Sequence, residues 1–351
     1  MSMRVEQWFK QQWVRRTPWQ ILLWPLSLLF RLLTSLRRLA IRAGWRASQR
    51  LSVPVIVVGN INVGGSGKTP FVIALVEYLQ AAGYTPGVIS RGYGGSEVGP
   101  FEVGPLSDAN QVGDEPVLIA MRTEVPLFIG RDRAAAGLAL LASHPNCDVV
   151  VSDDGLQHYR LHRDIEIAVI DAQFGVGNGM LLPAGPLREP LSRLREVDAV
   201  VLNHSESDRA TTSVAWSPPG TMPWEPYSMR LSGQVFRNVK NRDVHALPAD
   251  LRDSDLHAVA GIGHPARFFR YLSDLGLRFS AHPFPDHHRF SANDLAFGKN
   301  AIVLMTEKDA VKCLAFAGDN CWALAVSAEI DGRLGELILA KLRRIYGPKT
   351  A

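Results

Sequence analysis

The residues best suited to chemistry lie between Gly59 and Thr69. Gly64, Gly65 and Gly67 stand around Ser66 and run directly into Lys68 and Thr69. Closely spaced glycines let backbone N–H groups converge on phosphate oxygens, and a helix starting at the lysine adds positive potential. In such a loop the lysine reaches the β- and γ-phosphates and the next hydroxyl binds Mg2+. That assigns Lys68 and Thr69, and makes Asn62, Val63, Gly64, Gly65, Ser66 and Gly67 the rest of a nucleotide-phosphate cradle. Asn62 stands where the usual spacing has glycine; asparagine tolerates left-handed backbone, so it is expected to carry the turn. Further on, the apolar run from Asp148 ends in paired carboxylates, Asp153 and Asp154. This suits a metal-binding strand end, with a helix cap or turn as the alternative. Gln157 and His158 follow and can position phosphate or metal-bound water; for His158 a purely structural role is the alternative.

The elements that must hold these groups are legible. Val53–Val58 reads as a buried strand, and Phe71, Ala74, Leu75, Tyr78 and Leu79 as the helix after the loop. Polar, Gly- and Pro-rich loops recur at Ser90–Gly95, Gly113–Pro116, Gly130–Arg133, Pro183–Pro190 and Pro285–Phe290, the places where functional groups usually sit. A Ser- and Pro-rich linker spans 204–226, and Tyr227–Val239 alternates weakly, as in a strand pair. From His257 strands again alternate with helices, which implies a second, mostly parallel sheet. The expected organisation is a segment 1–50, a phosphate-loop core 51–203, a linker with a strand pair 204–240 and a second α/β lobe 241–351.

Composition excludes several classes. Of 351 residues, 46% are hydrophobic and 21% charged, which is ordinary for a globular protein. The three cysteines lack CxxC spacing, so neither a zinc site nor a disulfide framework is expected. The net charge of +4 conceals an asymmetry: residues 1–50 carry +9 and the remainder −5. A basic body that grips nucleic acid is not supported. The first fifty residues also hold five of the eight tryptophans. Fourteen uncharged residues, Thr17–Phe30, fall short of the about 20 that cross a bilayer, and Pro25 is expected to interrupt them. Arginines spaced among Leu32, Leu33, Leu36 and Leu39 follow. Apolar, Trp-rich sequence beside Arg-rich sequence is the composition of a helix lying on an anionic membrane surface. A helix packed on the body with solvated arginines is the alternative.

A phosphate loop alone indicates only a nucleotide. GTPases carry a base-reading Thr-Lys-x-Asp, whereas in Thr306-Glu-Lys-Asp309 the lysine comes one place late. Partition-type ATPase switches, which also join a phosphate loop to a membrane, carry an extra lysine where Val63 stands here. The ordered set Gly59-Asn60 with Gly64–Pro70, Ser90–Tyr93, Gly113–Pro116, Ser152–His158, Pro183–Glu189 and Pro285–His287 resembles the tetraacyldisaccharide 4'-kinases. Ala260–Gly263 and Thr306–Asp309 also match, and the likeness covers nearly the whole chain.

That resemblance implies an ATP-dependent, Mg2+-assisted transfer to the 4'-hydroxyl of a tetraacyldisaccharide 1-phosphate, giving lipid IVA at the cytoplasmic face of the bacterial inner membrane. It implies two α/β/α lobes, a membrane-lying N-terminal segment and no obligate protein partner. Asp114 matches the family's catalytic aspartate and His287 the histidine paired with it. A sugar hydroxyl is a weak acid, so a carboxylate that takes its proton during attack on phosphorus makes chemical sense. Asp153 and Asp154 match metal-side carboxylates, Gln157 and His158 residues near the phosphates, and Glu189 an acid near Mg2+. Arg188 matches an arginine that neutralises the transferring phosphoryl group. Arg91, Arg131 and Arg133 are candidates for the acceptor's 1-phosphate, with solvated surface arginines the alternative. Thr306–Asp309 either touches nucleotide or anchors its helix. If His287 meets Asp114, the site lies between the lobes and closure assembles it.

Overall fold

The computed structural model describes residues 12–13, 17–45, 48–204, 216, 225–298 and 300–347. The expectations for residues 1–11 and for most of the 204–226 linker therefore fall outside the described residues.

Thirteen strands form one sheet: β1 (Val55–Gly59), β2 (Pro86–Ser90), β3 (Phe101–Glu102), β4 (Leu127–Ile129), β5 (Val149–Ser152), β6 (Ile165–Asp171), β7 (Ala199–His204), β8 (Tyr227–Asn238), β9 (His245–Ala246), β10 (Asp255–Ala260), β11 (Ser280–Pro283), β12 (Ala301–Thr306) and β13 (Cys321–Ile330). The spatial order is β11-β10-β12-β13-β8-β7-β6-β1-β5-β2-β4-β3, with β9 on β8. Within each lobe the strands run parallel apart from the short strands β3, antiparallel to β4, and β9, antiparallel to β8. Apolar side chains pack on both faces of each half, which is why β1, β2 and β5 are buried at every position rather than alternating.

Two expectations about organisation are corrected. Tyr227–Asn238 is one twelve-residue strand, not a pair; it runs parallel to β7 and antiparallel to β13, and so joins the sheets of the two lobes. Because β13 runs back along β8, the chain leaves it at Ile330, opposite Met229 and beside the first lobe. The last helix, Gly332–Tyr346, accordingly packs on the first lobe, with Leu334, Ile338 and Leu342 in the same core as Phe71 and Val72.

The N-terminal helix is also longer than the charge pattern implied. Trp19–Arg42 is a single 24-residue helix with Pro25 inside it, and Trp19–Ile41 is long and apolar enough to cross a membrane. Counting only to the first charge, Arg31, undercounted it, because the helical period continues through the arginines. Its orientation is inverted relative to a soluble amphipathic helix. Gln20 and Ser27 are buried, while Ile21, Leu22, Leu26, Leu29, Leu33 and Leu36 face outward. Ser27 Oγ donates to Leu181 O at 2.9 Å and accepts from Ala184 N at 3.0 Å. Arg38 pairs with Glu196 at 2.5 Å and lies over the Tyr159 ring.

Candidate active site

The phosphate loop follows β1, and the helix Lys68–Ala81 begins immediately after Gly67. Gly67 adopts φ +86°, a conformation that favours glycine. Beneath it Asn203, at the end of β7, donates from Nδ2 to Ser66 O at 3.1 Å. Buried Asn60 braces the loop from within, donating to Gly64 O at 3.4 Å and Ser66 Oγ at 3.3 Å. Gln157 Nε2 donates to Asn60 O at 3.0 Å. Val63, Gly64 and Gly65 remain exposed at the loop's crest. Asn62 does not take the expected left-handed conformation. It bridges to Leu187, and its Nδ2 donates to Gly175 O at 2.9 Å, so it ties the loop to the 175–187 segment.

The carboxylate pair follows β5. Asp154 has φ +46°, and Arg188 meets it with both terminal nitrogens, Nη2 to Oδ1 at 2.9 Å and Nη1 to Oδ2 at 3.2 Å. Lys68 Nζ is 3.6 Å from the same carboxylate, and Arg188 also donates to Asn60 Oδ1. Burial opposes charge on Asp154, but Lys68 and Arg188 outweigh it and hold the carboxyl far below its ordinary range. Asp153 is fully buried and moves the other way: burial first, then Glu115 and Asp154, push it up to about 7. Ser90 Oγ donates to its Oδ2 at 3.1 Å, whereas its Oδ1 is buried with no hydrogen bond. An unpartnered carboxylate oxygen beside a second carboxylate and the helix start bearing Thr69 fits Mg2+, which takes oxygen ligands and leaves room for phosphates and water.

Other candidates are placed differently. Glu189 follows Arg188 but takes other partners: its Oε2 accepts from Tyr159 at 2.8 Å and pairs with Arg193 Nε at 3.2 Å. Among the described residues no three His, Cys, Asp or Glu side chains are placed so that together they could hold a metal ion, so Glu189 is not brought together with Asp153 and Asp154 as a metal-holding trio. Arg133 is 1% exposed and donates to Gly130 O at 2.7 Å and Asp153 O at 3.3 Å. It is a buried strut, not a side chain open to the acceptor's phosphate as expected. Arg91 and Arg131 are exposed. Burial, with Arg133 nearby, pushes the His158 imidazole down to about 4 and keeps it neutral.

Asp114 opens the helix Asp114–Thr123 and is only 4% exposed. Its Oδ1 accepts from Glu115 N at 2.9 Å, and its Oδ2 lies 3.1 Å from His287 Nδ1. His287 comes from the second lobe, after β11, with φ +57° and its ring tilted against Tyr93 at 5.2 Å. The hydrogen bond to Asp114 raises the His287 pKa despite partial burial. For Asp114, burial works against ionisation, but His287 and Lys308 overcome it and lower the pKa.

The pairing of residues 173 positions apart forms a carboxylate–histidine dyad from one residue of each lobe. The family model for tetraacyldisaccharide-1-P 4'-kinase matches residues 19–343. The chain belongs to that family. The tetraacyldisaccharide 4'-kinase of Methylobacillus flagellatus is 51% identical over 345 residues, 98% of each chain. That of an Azoarcus species is 53% identical over 94% of each. The structure of LpxK from Aquifex aeolicus in complex with ATP is 29% identical, with a TM-score of 0.76, covering 92% of this chain and 99% of that one.

Several structural members of this kinase's site escaped reading by motif. Asn203 carries no sequence signal, because only β7's position beside β6 brings it under Ser66. Tyr159 and Arg193 likewise meet Glu189 only in the fold. The Thr306–Asp309 ambiguity is decided toward helix anchoring: Asp309 N donates to Thr306 Oγ1 at 3.1 Å.

Proposed function

We propose the following division of labour for the reaction that family membership gives this chain, transfer of the ATP γ-phosphate to the 4'-hydroxyl of tetraacyldisaccharide 1-phosphate. The loop N–H groups and Lys68 hold the phosphates, with Gln157 and Asn60 keeping the loop in shape. Thr69, Asp153 and Asp154 would hold Mg2+, which would supply positive charge to stabilise the phosphoryl group in transfer. Arg188 and Lys68 offset the charge on the transferring group. Asp114 accepts the 4'-hydroxyl proton as that oxygen bonds to the γ-phosphorus and the bond to the β-phosphate oxygen breaks, releasing ADP. His287 fixes the carboxylate's orientation. Glu189 supports this wall through Tyr159 and Arg193. Arg91 and Arg131 face solvent and are offered to the acceptor's 1-phosphate.

The observation that carries this reading is the buried Asp114–His287 contact at 3.1 Å. Transfer of label from γ-labelled ATP to the lipid acceptor in mixed micelles, wild type beside Asp114→Asn, tests it. Transfer should collapse in the variant while ATP binding persists; undiminished transfer sinks the assignment.

The N-terminal helix supports residence on the cytoplasmic face of the inner membrane, lying on an anionic surface. Its polar contacts with the body run from Ser27 to Arg38, about 16 Å of helix at 1.5 Å per residue. A helix held along that length by the body cannot also cross a bilayer. Its outward leucines and tryptophans suit the interface, where arginines meet anionic headgroups.

A further inference from the structure

The Thr306–Asp309 motif has no part in the phosphate site, yet it is heavily tied down. Asp309 Oδ2 accepts from Thr306 Oγ1 at 2.8 Å and from Gly261 N at 3.1 Å. Glu307 accepts from Arg122 Nη1 at 2.9 Å and from Val326 N at 2.9 Å. The helix Glu307–Cys313 is thereby fixed against the helix that Asp114 opens. Lys308 and Lys312, one turn apart, then share the face toward Asp114. Lys308 Nζ is 3.8 Å from Asp114 Oδ1 and 2.9 Å from Glu115 Oε1. Lys312 Nζ is 3.9 Å from Asp114 Oδ2 and 2.7 Å from Asp309 Oδ1. Each oxygen of Asp114 thus has its own ammonium group.

We infer that Lys308 and Lys312 are positioning residues for acceptor deprotonation: delivered by the second lobe, they keep Asp114 ionised and turn Glu115 away from it. The inference rests on the reading of Asp114 as the base. Asp114 stands among Glu115 on its own helix, His287 and Asp286 on the 285–288 loop, and Lys308, Asp309 and Lys312 on the facing helix, while Tyr93 backs the His287 ring. Three of these neighbours are acids. Without the lysines, a nearly buried carboxyl among acids keeps only His287 to favour its charged form and holds its proton to higher pH. Both lysines and His287 come from the second lobe, so the base is complete only where the two lobes meet.

The test is kcat/KM against pH for lipid phosphorylation by the full chain in mixed micelles, with Lys308→Met, Lys308→Arg and Asp114→Asn. A cation within 4 Å typically lowers a carboxyl by about one unit or more, so Lys308→Met should raise the acid limb by about one pH unit and lose roughly tenfold below it. Lys308→Arg should restore the limb. A limb unmoved in Lys308→Met, with losses equal at all pH, makes the lysine merely structural and overturns the inference. Transfer that survives in Asp114→Asn overturns the base itself, which is a separate outcome. NMR titration of His287 gives a readout independent of turnover: Lys308→Met should raise its pKa by removing a neighbouring cation, and an unchanged value counts against the inference.

Discussion

Replacing Gly67 by alanine strikes the nucleotide cradle at its tightest point. A Cβ there would stand 2.4 Å from Asn203 Nδ2 and 3.1 Å from Met229 Cε, on a backbone with φ +86°. The left-handed conformation costs a non-glycine residue about 1–2 kcal/mol. Displacing Asn203 breaks its bond to Ser66 O and strands a buried amide, about 1–3 kcal/mol more. Relaxation shares these costs between stability and binding. We expect about 3 kcal/mol to reach ATP affinity, roughly a hundredfold in Kd. Calorimetric titration with Mg–ATP measures it, with urea unfolding to separate loss of fold. Gly104→Ala is the control, since it lies outside the phosphate loop and a Cβ there meets nothing within 4 Å; Kd should stay within about threefold. Adding Asn203→Ala to Gly67→Ala removes the clash but not the strain, and should recover about tenfold. Wild-type affinity in Gly67→Ala, or no recovery in the double variant, would refute the reasoning.

Other expectations follow from the same geometry. The Asp114–His287 contact stabilises the fold in a defined pH window. The lowered Asp114 pKa contributes above the ordinary carboxyl range and is lost as pH falls through the folded value, while the raised His287 pKa contributes below about 6.5 and is lost as pH rises through its folded value. Wild type minus His287→Asn unfolding free energy should therefore peak between about pH 4 and 6.5, and a flat difference contradicts it. Arg133→Met should destabilise by about 1–3 kcal/mol by unpairing Gly130 O and Asp153 O, with little selective effect on the lipid KM; Arg91→Ala should do the reverse, and steady-state kinetics beside denaturation separates the two. Ser27→Val should loosen the N-terminal helix by about 1–3 kcal/mol, seen as faster hydrogen exchange over residues 19–41. Leu29→Glu with Leu33→Glu should abolish flotation with anionic liposomes while leaving Mg–ATP binding intact; retained flotation would remove the outward face from membrane binding.

The sequence by itself determined what depends on local chemistry. Glycines before Lys68 specify a phosphate loop because only such spacing lets N–H groups converge, and apolar runs at Val53–Val58 and Asp148–Ser152 specify buried parallel strands. Ordered motifs also named the dyad's members, Asp114 and His287, through family likeness. Local pattern misled at Asn62, whose backbone is set by a long-range bridge to Leu187, and at Pro25, which a long helix accommodates. It misled at Arg133 too, since a charged side chain reads as exposed until two carbonyls are seen to enclose it. Tertiary structure alone decided which charges meet. Burial and distance, both properties of packing, separated Asp153 from Asp154, drew Glu189 toward Arg193, and brought Lys308 and Lys312 from the second lobe to Asp114. It also decided which face of the N-terminal helix is outward, because Ser27 Oγ finds its partners, Leu181 O and Ala184 N, only in the folded body.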